Sequence, residues 1–256
     1  MGYAMQEAAG HGVRFVVLDR PNPINGVDVD GPMLDPGRES FVAFHHLPIR
    51  HGMTVGELAR MFKAELRLDV DLEVVRVKGW RRDSFFDATG LMWINPSPNM
   101  RSLTEAILYP GIGLLETTNL SVGRGTDVPF EMIGAPWIGG TRLAGALNEA
   151  ELPGVRFRAV VFTPKASKFA GQRCEGVGMT ITDRDAFQPL RTGLEIARRL
   201  RTLYPDDWKA DAYDRLLANR QVLEAVLAGR TADQIEAIYR PGLEDFKQRR
   251  ARYLLY

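Results

Sequence analysis

Two short apolar runs separated by an amphipathic helix set the strongest limit on the fold of this chain. Residues 13–18 (VRFVVL) form a nearly continuous, Val-rich run, and residues 72–77 (LEVVRV) form a second one. Such runs are typical of strands that are buried on both faces of a parallel sheet. Between them, Thr54 and Glu57 have capping-box spacing, and the apolar positions that follow predict a helix over residues 55–67. The pattern therefore predicts a right-handed βαβ unit, normally one piece of a larger α/β sheet.

The pattern changes after residue 80, where an irregular stretch ends in the Pro- and Asn-rich segment 95–99. We expect a domain boundary there, dividing the chain into domains 1–99 and 100–256. In the second domain the sequence predicts helices over 102–108, 141–150 and 189–203, and strands over 112–116, 155–162 and 176–182. Thr231 and Gln234 form a second capping box, and Pro241 is expected to begin a separate final helix.

Composition and charge give limited information on partners and on the type of protein. The 256 residues carry a net charge of +1, which argues against nucleic acid or an anionic membrane as the main partner. No apolar stretch approaches the roughly 20 residues needed to span a bilayer. The N-terminus has neither the basic start nor the apolar core of a signal peptide. Cys174 is the only cysteine, so an intrachain disulfide is impossible, and we expect it to be a small buried hydrophobe.

Familiar catalytic and metal-binding motifs are missing from the sequence. There is no dinucleotide-binding glycine fingerprint after a strand, no Walker loop and no Gly-x-Ser-x-Gly elbow. His45 and His46 are adjacent and point in different directions, and His51 stands apart from them, so metal-ligand spacing is absent. Trp80, Trp93 and Trp208 are expected in the core, and the basic residues near 247–252 on the solvated face of a terminal helix. The sequence therefore predicts no metal site.

The segment over residues 116–137 (ETTNLSVGRGTDVPFEMIGAPW) is the main site candidate. It combines two carboxylates, an arginine, an amide, hydroxyls and an indole with the loop-forming Gly123, Gly125 and Pro129. Long loops with convergent polar groups are common positions for binding and catalytic sites. A second candidate, residues 19–26 (DRPNPING), directly follows the first predicted strand, at the edge where open α/β sheets place active groups.

These residue types suit glycoside hydrolysis. That reaction needs two carboxyl groups, which Glu116 and Glu131 supply, and sugar binding needs amides, guanidinium groups and an aromatic face. Asn22, Asn119, Arg124 and Trp137 supply the latter. The alternative is structural: Arg124 pairs with Glu116 or Glu131 and braces the loop, while the prolines on either side of Asn22 simply lock a turn.

The order of the motifs resembles that of the bacterial exo-β-N-acetylmuramidases of the NamZ type. The resemblance covers essentially the whole chain and is carried by DRPNPI (19–24), LPIRHGMTVGEL (47–58), NPSPNM (95–100), TNLSVGRGT (118–126), PFE (129–131), GAPW (134–137) and YLLY (253–256). It implies a Rossmann-like N-terminal domain, of which residues 1–99 are the C-terminal part, and a smaller α+β C-terminal domain. It also implies a site in the cleft between the domains.

The resemblance implies an extracytoplasmic enzyme, periplasmic or secreted, that releases N-acetylmuramic acid from the non-reducing end of peptidoglycan fragments. Peptidoglycan-derived muramyl sugars are then the partners, and no cofactor is required. On this hypothesis Glu116 and Glu131 line the sugar pocket, and Asn119, Arg124 and His51 hold its N-acetyl or lactyl groups. Arg124 suits the lactyl carboxylate, because a guanidinium binds a carboxylate through two hydrogen bonds. The sequence does not determine the oligomeric state.

The beginning of the chain departs from the family pattern. Members of the family have further strands upstream and a Glu-His-Gly-Phe-Arg-Gly type segment that carries a strong candidate for the catalytic Glu. This chain is expected to be an N-terminally truncated member that starts after that segment. Two other hypotheses therefore stand beside the active enzyme: an inactive sugar-binding fragment, and a structural or adaptor protein whose loop is merely braced.

Overall fold

The computed structural model describes all 256 residues, which divide into two compact units. The first unit contains Met1–Met92 and Pro241–Tyr256, and the second contains Trp93–Arg240. The C-terminal residues from Pro241 onward belong to the first unit, so the two units are not the same as the two stretches 1–99 and 100–256, which stay a prediction of domain bounds. No helix has both the length and the apolar character needed to cross a membrane.

The first unit contains the predicted βαβ arrangement. Its elements are α1 (Gly2–Gly10), β1 (Phe15–Leu18), α2 (Val55–Glu65) and β4 (Leu72–Val75). Strands β1 and β4 pair in parallel, which requires the intervening chain to cross over between their ends. An antiparallel pair, β2 (Asp30–Met33) and β3 (Pro48–Arg50), precedes α2, and a short 3-10 helix spans Phe86–Thr89. The α/β class predicted from the apolar runs is confirmed.

Helix α2 begins where the capping box predicts. The Thr54 hydroxyl accepts a hydrogen bond from the Glu57 backbone at 3.2 Å, and the Glu57 carboxylate accepts one from the Thr54 backbone at 2.9 Å. This reciprocal pair satisfies two of the free N–H groups at the start of the helix. The apolar face of α2 then packs into a buried cluster with α1 and the sheet, formed by Met5, Val17, Ala59, Phe62 and Val70.

The prediction that the first strand is buried on both faces is wrong. Val17 is buried against α2, whereas Val16 and Leu18 are 48% and 74% exposed. Successive side chains of a strand point to opposite faces, and helix α2 covers only the Val17 face of this two-stranded sheet. The other face of β1 and β4 therefore presents apolar side chains to solvent, including Val75 at 45% exposed.

The second unit is built around a three-stranded antiparallel sheet in the order β5-β7-β6. The strands are β5 (Met132–Ala135), β6 (Val155–Phe162) and β7 (Cys174–Ile181). The surrounding helices are α3 (Leu103–Ile112), α4 (Gly140–Asn148), α5 (Pro189–Leu203), α6 (Asp214–Leu217) and α7 (Arg220–Leu227). Helices α3 and α5 approach closely at Gly111, where an added Cβ would lie 1.9 Å from the Pro189 carbonyl oxygen.

Two predicted elements of the sequence after residue 100 are corrected by the structure. Residues 112–116 do not form a strand: a 3-10 helix spans Gly113–Thr117, and it buries the adjacent Leu114 and Leu115 together. An alternating strand could not place both on one face. Pro241 does not begin a new helix, because α8 runs through it from Ala232 to Arg250. Buried apolar side chains occur before and after the proline, and their packing offsets the loss of one helical hydrogen bond.

Candidate functional site

The loop between the 3-10 helix and β5 is held by its own backbone. Ser121 and Gly134 exchange two backbone hydrogen bonds of 2.9 and 3.0 Å, which fasten the loop to the start of the sheet. Gly123 and Gly125 have φ values of 77° and 82°, and Phe130 adopts φ of 64°. Left-handed backbone is unfavourable for a residue with a side chain such as Phe130, and it occurs where the surrounding structure imposes it. The backbone of this loop therefore has a defined conformation, which sets the directions of its side chains.

Gly125 brings this loop against a second one, which joins β6 to β7 over residues 163–173. The Lys165 backbone donates a hydrogen bond to the Gly125 carbonyl at 2.9 Å. A Cβ added to Gly125 would lie 2.2 Å from the Ala166 carbonyl oxygen. Only glycine fits this contact, so the sequence Gly-Arg-Gly-Thr positions the two loops relative to each other.

We expect Gly125→Ala to lower the free energy of unfolding by about 2 kcal/mol or more, because it combines left-handed strain with a backbone clash. Gly171→Ala is the matched control, since Gly171 has φ of 76° but nothing within 4 Å of an added Cβ. Urea unfolding of both variants checks the prediction. Equal losses in the two variants would mean that the contact with Ala166 contributes nothing.

Glu116 and Arg124 form a close ion pair within the loop. Arg124 Nε lies 2.6 Å from one Glu116 carboxylate oxygen, and Nη2 lies 3.0 Å from the other. Both side chains are 28% exposed. The guanidinium also lies over the Phe130 ring at 5.2 Å from its centroid, a favourable cation–π geometry. From the sequence, Arg124 could pair with either Glu116 or Glu131 to brace the loop. In the structure its partner is Glu116.

Two residues that the sequence did not single out complete this cluster. Lys168, from the loop between β6 and β7, donates a hydrogen bond from Nζ to the Glu116 backbone carbonyl. The Tyr109 ring packs edge-on against Phe130 at 4.9 Å, and Tyr109 is 41% exposed. Burial raises the pKa of Tyr109, and the Glu116 charge adds to the increase. The only sequence signal for Lys168 was its position in a Pro- and Gly-containing loop between two strands.

Glu131 lies in different surroundings, and its side chain contacts residues at the first turn of α3. Its carboxyl group bonds the Ser102 side chain, and the neighbouring carboxylate is that of Glu105. Burial raises the pKa of Glu131, repulsion by Glu105 raises it further, and the bond from Ser102 opposes both effects. The structure thus gives the two predicted carboxylates separate environments: Glu116 is paired with a cation, whereas Glu131 is held partly buried beside another acid.

Asn119 and Trp137 have structural contacts. The Asn119 amide donates to the Asp207 carbonyl at 2.8 Å, and its oxygen accepts from the Lys209 backbone at 2.7 Å. Trp137 packs edge-on against Tyr204 with ring centroids 5.5 Å apart, and its buried Nε1 has no hydrogen-bond partner. Asn119 therefore ties the loop to residues 207–209.

Asn22 and His51 lie in the first unit and stabilise turns there. Asn22 donates to the Met53 carbonyl and accepts from the Ile24 backbone, both at 3.1 Å. His51 Nδ1 accepts from the Met53 backbone at 3.1 Å. Burial, with a smaller effect of the Arg250 charge, lowers the pKa of His51 to about 4, so the ring is neutral at neutral pH. The side chains of Asn22 and His51, both predicted to bind sugar, thus form hydrogen bonds with backbone groups of the first unit.

We expect acid to destabilise the protein partly through His51. Its pKa is about 4 in the folded state and 6.5 when unperturbed, so between these values the unfolded chain binds more protons. The contribution of His51 is fully present above pH 6.5 and is lost as the pH falls towards 4. The free energy of unfolding should fall between about pH 7 and pH 5, and the fall should be smaller in His51→Gln than in the parent protein. His11→Gln, at an exposed histidine, should match the parent; a parent-like loss in His51→Gln would contradict the prediction.

A polar network joins DRPNPING to the C-terminus in the first unit. Asp19 accepts hydrogen bonds from the Thr54 hydroxyl at 2.8 Å, the Gly56 backbone at 2.8 Å and the Tyr256 hydroxyl at 2.7 Å. Burial and the bond to Asp19 raise the pKa of Tyr256 to about 12, so its hydroxyl remains a donor. Asp19 therefore holds the end of β1, the start of α2 and the last residue of the chain together.

Arg250 corrects the expectation that the basic residues at the end of α8 form a solvated face. It is 9% exposed and donates to four backbone carbonyls at 2.9–3.2 Å. Burial lowers the pKa of this guanidinium, and the nearby Arg82 charge lowers it further. The carbonyls belong to Gly26, Val27, His51 and Gly52. The motif residues 19–26 and 47–58 are thus held by the C-terminal segment.

An open cleft of about 470 Å³ lies in the first unit beside this network. Trp80 and Tyr256 line it, with ring centroids 5.1 Å apart in an edge-on arrangement. Val27, Arg81, Arg82 and Asp83 complete the lining. Trp80 is 8% exposed, as expected for a core tryptophan, yet it borders the cleft. Aromatic faces beside charged groups can bind a sugar ring. No group of His, Cys, Asp and Glu side chains that could hold a metal is present.

Comparison with known proteins gives matches over the whole chain. The family model described as exo-beta-N-acetylmuramidase NamZ, N-terminal, matches residues 1–104, and the corresponding C-terminal model matches residues 107–256. The peptidoglycan beta-N-acetylmuramidase NamZ of Bacillus subtilis (strain 168) is 44% identical over 259 residues. That alignment covers 100% of this chain and 63% of the Bacillus protein.

Two crystal structures of DUF1343 family proteins from Bacteroides fragilis NCTC 9343 have the same fold. One superposes with a TM-score of 0.92 at 32% identity, and the other with 0.81 at 30% identity. Each superposition covers 100% of this chain and 70% of the solved chain. The chain therefore spans about two thirds of the length of the proteins it matches.

Proposed function

Because the chain belongs to the exo-β-N-acetylmuramidase NamZ family, we propose that it is a glycosidase that releases N-acetylmuramic acid from the non-reducing end of peptidoglycan fragments. The observation that carries the proposal is the 44% identity, across the whole chain, with a peptidoglycan β-N-acetylmuramidase. The reaction adds water across the glycosidic bond, giving the free muramyl sugar and the shortened fragment. Peptidoglycan lies outside the cytoplasm, and we propose that the protein acts there.

The geometry of the second unit supports distinct roles for the two predicted carboxylates. A glycosidase needs one carboxylic acid that protonates the leaving oxygen and one carboxylate that attacks the sugar or activates water. The raised pKa of Glu131 suits the acid role, because it extends the pH range in which this group holds a proton. Glu116, paired with Arg124, suits the ionised role. We propose Glu131 as the general acid and Glu116 as a group at the sugar pocket.

The specificity of the reaction is tested with two defined disaccharides. One carries N-acetylmuramic acid at the non-reducing end and N-acetylglucosamine at the reducing end, and the other has the reverse order. Mass spectrometry of the products should show cleavage of the first and not of the second. Cleavage of the reverse disaccharide alone would contradict the proposed exo-acting muramidase and indicate a glucosaminidase.

A further inference from the structure

Lys168 is held in place by an unusual backbone. Its neighbours Ser167 and Phe169 adopt φ values of 68° and 58°, both in the left-handed region. Such conformations are unfavourable for residues with a side chain, and they persist where the surrounding structure imposes them. The hydrogen bond from the Lys165 backbone to Gly125 fixes the same loop against the loop that carries Arg124.

Lys168 carries the one charge that has no ionic partner in the cluster of Glu116, Arg124 and Lys168. The Glu116 carboxylate contacts Arg124 through both of its oxygens, so these two charges offset each other. The Lys168 ammonium donates a hydrogen bond to the backbone carbonyl of Glu116, and this acceptor carries no net charge. An ammonium has three donors, so two remain for a ligand. The cluster of Glu116, Arg124 and Lys168 therefore has one net positive charge.

The surroundings of Lys168 suit a carboxylate attached to a small apolar group. Burial lowers the pKa of Lys168, and Arg124 lowers it further while Glu116 opposes the change. An anionic ligand offsets this unfavourable environment of the ammonium. Tyr109 lies in the same cluster, interacts electrostatically with Glu116 and Arg124, and exposes 41% of its surface. Its ring offers an apolar contact and its hydroxyl a donor.

We propose that Lys168, rather than Arg124, binds the lactyl carboxylate of a muramyl sugar and is a specificity-determining residue of this protein. The proposal rests on the proposed function, which supplies the class of sugar. N-acetylmuramic acid and N-acetylglucosamine differ only in the lactyl ether, a carboxylate and a methyl group on one carbon. A cation distinguishes them, because only the muramyl sugar carries the carboxylate. Arg124 contributes by holding Glu116 and thereby the carbonyl that positions Lys168.

Equilibrium binding of free N-acetylmuramic acid and N-acetylglucosamine to the full chain tests this inference. We expect Lys168→Met to weaken N-acetylmuramic acid binding about 10- to 100-fold, as for loss of a hydrogen bond to a charged group, and to leave N-acetylglucosamine binding unchanged. Lys165→Met is the matched control: this exposed lysine is in the same loop, and its replacement should change neither affinity. Equal weakening for both sugars, or no weakening, would overturn the proposal.

Two further measurements keep the inference testable if Lys168→Met folds poorly. Lys168→Arg, which keeps the charge, should retain the preference for N-acetylmuramic acid. In the parent protein, that preference should decline as salt is added, because added salt screens ionic contacts. A salt-independent preference would overturn the proposal, as would parent protein that binds neither sugar.

The outcome is separable from that of the proposed function. If the chain hydrolyses no muramyl glycoside but Lys168→Met selectively loses N-acetylmuramic acid binding, the inference stands and the hydrolase proposal fails. If Lys168→Met hydrolyses a muramyl glycoside with the same KM as the parent, the hydrolase proposal stands and the inference fails.

Discussion

Replacement of Glu131 by Gln is expected to lower kcat for a muramyl disaccharide by about 10²–10⁴-fold, the usual contribution of a general acid. The amide has nearly the same shape as the carboxylic acid but cannot donate the proton that the leaving oxygen needs. Glutamine also removes the unfavourable burial of a charge beside Glu105, so the variant is expected to fold. Initial rates measured under saturating substrate check the prediction.

The pH dependence gives the same prediction an independent test. A general acid must be protonated, so activity of the parent should fall as the pH rises through the pKa of Glu131. Because burial and Glu105 raise this pKa, the fall should occur above the usual range of a glutamate. The residual activity of Glu131→Gln should lack this fall. An unchanged pH profile in the variant would assign the decline to another group.

A comparison of leaving groups separates loss of the acid from general damage to the site. A nitrophenolate leaves without much protonation, whereas a sugar hydroxyl needs it. Glu131→Gln should therefore lose much less activity on a nitrophenyl muramide than on the disaccharide. Glu149→Gln, at an exposed position of the second unit, is the control and should behave as the parent. Equal losses on both substrates would contradict the acid role.

Replacement of Arg82 by Met is expected to lower the free energy of unfolding by about 3–5 kcal/mol. Glu57 is fully buried, and Arg82 binds both of its carboxylate oxygens, at 2.8 and 2.6 Å. The Thr54 and Leu255 backbones also donate to this carboxylate. Removing the guanidinium leaves a buried negative charge whose remaining hydrogen-bond partners are neutral backbone groups, which is a costly arrangement.

Denaturant unfolding of Arg82→Met and of an exposed counterpart checks this expectation. Arg220 pairs with Glu224 one helical turn away, but both side chains are largely exposed. Because water and salt screen such a pair, Arg220→Met should change stability little. Similar losses in the two variants would mean that the Glu57–Arg82 pair is no more important for the fold than a surface pair.

Local patterns predicted much of the fold correctly. The capping box at Thr54 and Glu57 forms, and strand β6 and helix α5 have the predicted bounds. These elements are encoded by neighbouring residues, through periodicity and end signals. Prediction failed where packing over longer distances decides the outcome, as in α8, which continues through Pro241.

The candidate site was less predictable because its contacts are not local. The Glu116–Arg124 pair spans 8 positions and was one of the stated alternatives, whereas Lys168 and Glu116 are 52 positions apart. The bond from Tyr256 to Asp19 joins residues 237 positions apart. No spacing rule connects such pairs. Asn22 and His51 were predicted to bind sugar, which stays a prediction, and no local pattern indicated the turn contacts that their side chains make within the first unit.

Turnover of a chromogenic β-glycoside of N-acetylmuramic acid by the 256-residue chain tests the central claim most directly. We predict release of the chromophore by the parent protein, and a release by Glu131→Gln that is only slightly lower, because this leaving group needs little protonation. Folded protein that binds N-acetylmuramic acid but releases no chromophore at any pH would contradict the claim that this chain is a muramidase.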